Sequence, residues 1–127
     1  MLKLLLIAAG GATGSLSRYA VSGWGQRATQ GSFPTGTLVV NLLGCLLIGF
    51  LGVLFSRYML IREEYRLALL IGVLGGFTTL SSFGWETFAL LNDGQRWQAF
   101  ANVAITNVGG LGLVWVGYRI AEKLYGA

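Results

Sequence analysis

The sequence predicts an all-α integral membrane domain of four transmembrane helices, with a break in the third. Three observations carry this. Only 11% of the 127 residues are charged and 54% are hydrophobic, where a soluble domain carries about a quarter charged residues. The charges are bunched, leaving residues 4–17, 28–56, 67–85 and 97–118 uncharged. Three of these runs reach the length of about 18–20 residues that crosses a bilayer. The third holds Gly72-Val-Leu-Gly-Gly-Phe-Thr-Thr-Leu-Ser-Ser-Phe83, where glycines and hydroxyls at mid-depth weaken a continuous helix. Backbone groups freed there need partners inside protein or around a water-filled cavity. Binding or passing an ion is one reading of that segment; close packing by small residues is the other.

The first span is expected over about residues 2–26. It contains Gly10-Gly-Ala-Thr-Gly14, a small-xxx-small face, followed by Arg18, which either snorkels at the interface or lines a polar vestibule. No cleavage site follows the N-terminal apolar run, so this span is expected to be kept. Gln26 to Phe33 reads as a polar loop, and Pro34 opens span two, about 34–58, where its missing N–H costs nothing. Within span two, Thr37, Asn41 and Cys45 recur every four residues and share a face. The linker through Arg57, Arg62, Glu63, Glu64 and Arg66 is solvated. Span three covers about 67–91, reaching Gly75-Gly76 and resuming after Thr-Thr-Leu-Ser-Ser. Asn92-Asp93-Gly94 is a turn signal. Span four covers about 97–118, with Asn102, Thr106, Asn107 and Val114 as candidates to face a pore. Four spans fill the chain and form a single domain. Because four short, glycine-rich helices make a poor enclosure, an oligomer is expected.

Composition narrows the chemistry. The chain has no His and one Cys, so the commonest general base, a disulfide and a metal cluster are missing and an enzyme is not expected. The net charge of +4 is read as basic residues flanking spans, not as a nucleic-acid surface. Lys3, Arg57, Arg62, Arg66, Arg119 and Lys123 fall on the side of the termini and Arg18, Arg27 and Arg96 on the other. That bias favours cytoplasmic termini without forcing one orientation.

At mid-depth the residues offer hydrogen-bond protons: the Asn41 amide and the hydroxyls of Thr37, Thr78, Thr79, Ser81 and Ser82. Phe83 adds a weaker donor, the positive rim of its ring. A site for a small conducted anion must bind well enough to strip water and loosely enough to release. Carbonyls exposed at a break offer the opposite, oxygen ligands for a cation that joins two subunits. The sole acidic residue inside a span, Glu86, lies near its predicted end.

These residues resemble the Fluc (CrcB) fluoride channels. The resemblance rests on Gly10-Gly-Ala-Thr-Gly-Ser-Leu-Ser-Arg18-Tyr19, then Pro34-Thr-Gly-Thr-Leu-Val-Val-Asn41-Leu-Leu-Gly44, then Gly75-Gly-Phe-Thr-Thr-Leu-Ser-Ser-Phe83, in order and ending in a fourth glycine-rich span. It implies a dual-topology antiparallel homodimer in the bacterial cytoplasmic (inner) membrane. It also implies passive fluoride export giving fluoride resistance, through two pores along the dimer interface. A structural sodium ion at the centre is implied too, held by backbone carbonyls that fall here at Gly75 and Thr78. The pore positions fall at Asn41, Ser81 and Phe83, with a second pore phenylalanine at Leu80 and a vestibule role for Arg18. Leu80 departs from the family's Thr-Thr-Phe-Ser. Natural variation, an engineered substitution and a pore lacking one fluoride station compete to explain it, and substitution is favoured. The fold and dimer are then expected to survive with lowered flux. Two other functions are weighed. A small dual-topology multidrug exporter needs an acidic residue in span one, and residues 1–26 hold none. A structural subunit of a larger membrane assembly accounts for the glycine faces but not for the polar residues at mid-depth.

Overall fold

A computed structural model describes residues 1–58 and 61–126. Among them all regular structure is helical: α1 (Leu2–Ala28), α2 (Thr35–Tyr58), α3 (residues 63–77), α4 (Leu80–Asn92) and α5 (Arg96–Tyr125). With α3 and α4 taken together, four helical spans are long and apolar enough to cross a membrane. Span three begins at Glu63 and span four continues to Tyr125. The charged residues there belong to the helices and are not confined to the connections.

The spans run alternately up and down. At one end Lys3 pairs with Glu63 at 3.4 Å and Arg57 with Glu122 at 3.3 Å. At the other end the Ser32 hydroxyl donates to Gln95 Oε1 at 2.7 Å. There Gln26 spans the first connection, donating to the Phe33 carbonyl and accepting from the Gly36 amide.

Packing depends on small residues. A Cβ on Gly10 would strike the Ala68 carbonyl, and one on Gly14 the Val73 carbonyl, so α1 and α3 touch backbone to backbone. This is how helices associate where lipid supplies no hydrophobic drive. The turn after α4 is built as its sequence predicts. Gln95 N–H donates to the Leu90 carbonyl at 2.8 Å and Gly94 N–H to the Leu91 carbonyl at 3.1 Å, a Schellman cap. Gly94 sits there at φ 79°, a conformation that costs glycine nothing.

Candidate functional site

The break is shorter than the sequence implied. Gly75 and Gly76 remain helical, as do Leu80, Ser81 and Ser82. Only Thr78 (φ −86°, ψ 158°) and Thr79 (φ −151°, ψ 110°) are extended. Thr79 then caps α4, its Oγ1 accepting from the Ser82 amide at 3.2 Å.

Asn41 holds the break. Its Nδ2 donates to the Thr79 carbonyl at 3.0 Å, and its Oδ1 accepts from the Thr79 amide at 2.8 Å. One side chain thus satisfies both polar groups of an extended residue at mid-depth, which lipid cannot do. The Thr79 amide is the group that would have closed a helical bond onto the Gly75 carbonyl. Its diversion to Asn41 leaves that carbonyl without its helical partner. Gly75 is exposed, and a Cβ there would meet nothing within 4 Å. The Thr78 carbonyl accepts from Arg18 Nη1 at 3.5 Å. Neutral carbonyl oxygens are ligands for a hard cation, and their chemistry fits sodium. Two are too few, because hard cations take about six oxygens.

Two hollows flank the clamp. A cleft of about 470 Å³ is lined by Asn41, Gly75, Thr78, Thr79, Leu80 and Phe83, together with Cys45, Thr106, Asn107 and Val114. Leu80 and Phe83, three residues apart on one helical face, both reach it, and Leu80 is 79% exposed. The second hollow, about 450 Å³, is polar and lined by Ser15, Arg18, Ser22, Thr37, Ser82 and Glu86. Thr79 lines both. The Asn41–Thr79 clamp is therefore the partition between them.

Of the site residues expected from sequence, the cleft gathers Asn41, Leu80, Phe83, Gly75 and Thr78. Arg18 lines the polar hollow, half-buried and turned toward the break. Ser81 is exposed on α4 and lines neither hollow. Its Oγ lies 3.4 Å from Thr79 Oγ1. Of the span-four candidates, Thr106, Asn107 and Val114 reach the cleft, while Asn102 is buried elsewhere and bonded to Thr87. Thr106 lies in a π-helical turn, Ile105–Gly109. Such a turn inserts a residue and rotates the faces that follow it, and the buried Thr106 Oγ1 has no hydrogen-bond partner.

Sequence reading placed Glu86 near the end of its span and gave it no part in the site. Its Oε1 accepts from the Thr37 hydroxyl at 2.7 Å, and its Oε2 is buried without a partner. It lies in the middle of α4 because the helix starts at Leu80 and runs on to Asn92. The available signal was Thr37, one turn before Asn41 on the same face.

Apolar spans enclosing a broken helix, with amides, hydroxyls and freed carbonyls at mid-depth, define a multi-pass helical membrane protein built around a polar intramembrane site. The chain belongs to the family described as CrcB-like protein, Camphor Resistance (CrcB), whose model matches residues 5–118. It is 43% identical over 122 residues to the "Fluoride-specific ion channel FluC" of Solibacter usitatus, covering 96% of this chain and 100% of that one. It is 44% identical over 118 residues to the protein of the same name from Nitratidesulfovibrio vulgaris (92% and 94% covered). A third, from Salinibacter ruber, is 44% identical over 126 residues (99% and 94%). These relatives are named as ion channels, a non-enzymatic class.

Proposed function

We propose that this protein is a fluoride channel of the cytoplasmic membrane, passing the ion down its gradient and so exporting it, which gives fluoride resistance. One observation carries the reading. The cleft presents an amide, hydroxyls and an aromatic ring at mid-depth, beside carbonyls freed by the break, and no acidic residue lines it. The names of the relatives support fluoride as the ion. Arg18 in the polar hollow raises the local anion concentration. An anion entering there passes the Asn41–Thr79 partition and meets the rim of Phe83. Leu80 supplies bulk without a rim, so this chain conducts less than its Leu80→Phe counterpart.

The assembly is an antiparallel homodimer. The cleft is lined by exposed Leu80 and Leu111, and in a single copy the exposed Asn107 beside them would face hydrocarbon, which polar groups do not tolerate. A second copy covers them, brings Ser81 to an interface, and doubles the carbonyls of Gly75 and Thr78 toward the shell that a central sodium ion needs. Two pores along that interface follow from the two-fold relation. When bound, sodium supplies positive charge at the centre of an anion pathway.

A proton-coupled exporter of cations is the second reading, favoured by Glu86 alone. The two separate in liposomes. A channel releases fluoride without a pH gradient and excludes chloride, whereas an exporter moves a cationic dye only when protons flow the other way.

A further inference from the structure

We propose that Asn102 and Thr87 are positioning residues for Phe83, through a hydrogen-bonded chain that runs from α5 into the first turns of α4. This rests on the fluoride reading for its flux readout alone. Asn102 is 2% exposed and absent from the cleft. Its Nδ2 donates to Thr87 Oγ1 at 2.9 Å, and that hydroxyl donates to the Phe83 carbonyl at 2.7 Å. The direction of both bonds is fixed. The Thr87 hydroxyl has one proton, which is spent on Phe83, so it can only accept from Asn102.

Location gives the chain its consequence. Phe83 lies in the first turn of α4, just after the extended Thr78–Thr79, and no preceding helical turn braces it. Asn41 fixes the start of α4 at Thr79. The chain from Asn102 fixes Phe83 from the other side. A threonine hydroxyl bonded four residues back also shifts the local helix bend. The tie therefore sets how α4 presents the Phe83 ring to the cleft. Asn102 stands in the turn before the π-helical segment that carries Thr106 and Asn107 to that cleft. One buried amide thereby registers the two walls against each other. A role as simple interhelical glue would stabilise the pair without orienting the ring.

The test places 4-fluorophenylalanine at position 83 of the full-length protein in detergent and reads its ¹⁹F resonance, alongside fluoride efflux from liposomes. Thr87→Val removes the hydroxyl at constant shape. Thr87→Ser restores it, and Asn102→Leu is the second arm should Thr87→Val fail to fold. The expected result is a resonance shifted or split in Thr87→Val and Asn102→Leu, returned to its parent position in Thr87→Ser, with efflux lowered about fivefold in the first two, the factor set by one hydrogen bond. A resonance unmoved by Thr87→Val overturns the proposal, as does a moved resonance with efflux unchanged in both variants. Should neither the parent nor Leu80→Phe pass fluoride, the fluoride reading fails, and the resonance still decides whether the chain positions the ring.

Discussion

Changing Asn41 to aspartate alters one atom of the partition between the two hollows. The carboxylate still accepts from the Thr79 amide, now held at 2.8 Å, but the donor to the Thr79 carbonyl at 3.0 Å is gone. An unpaired buried acceptor costs about 1–3 kcal/mol. A fixed negative charge about 4 Å from a passing anion adds roughly 4 kcal/mol of repulsion at an effective dielectric near 20. That corresponds to a fall of about a thousandfold in anion occupancy, since about 1.4 kcal/mol is a factor of ten. Asn41→Ala removes both bonds and adds no charge. The expected order is therefore specific: Asn41→Asp loses more flux, and Asn41→Ala loses more thermal stability. Fluoride efflux from liposomes and melting in detergent measure the two, with gel filtration confirming the assembly. Efflux from Asn41→Asp within about threefold of the parent would remove Asn41 from the pathway and refute the reasoning.

Other outcomes follow from the same geometry. Arg18→Gln should slow fluoride uptake most at low salt, where the field reaches about 30 Å at 0.01 M, and an unchanged salt dependence would return Arg18 to an interfacial role. Gly14→Ala would drive a methyl group into the Val73 carbonyl, so melting in detergent should show a loss of about 1–3 kcal/mol or failure to fold. Wild-type stability there would mean that α1 and α3 are not in backbone contact. Leu80→Phe should raise flux, and equal rates would make the ring at that position dispensable.

The four spans were legible because composition alone dictates them. Apolar runs long enough to cross a bilayer have few other homes, and Pro34 and Gly94 punctuate them where the structure ends or starts helices. The existence of a break was legible from glycines and hydroxyls. Its placement was not, since glycine in a lipid-embedded helix packs as readily as it unwinds, and here Gly75 and Gly76 stay helical while two threonines extend. Asn41 stood out as an amide in an apolar span, but its use as a two-sided clamp depends on a partner 38 residues away. Glu86 was legible as the sole acidic residue inside a span, but its bond to Thr37 depends on a partner 49 residues away. Asn102 and Thr106 look alike in sequence, yet Asn102 bonds to α4 while Thr106, inside the π-helical turn Ile105–Gly109, lines the cleft.

The most direct test is fluoride release from liposomes holding the purified protein, read with a fluoride electrode beside a parallel chloride measurement, for the parent and for Leu80→Phe. Selective fluoride release, faster once the phenylalanine is present, is the predicted result. Vesicles of both proteins that retain their fluoride, or that lose chloride equally fast, would contradict it.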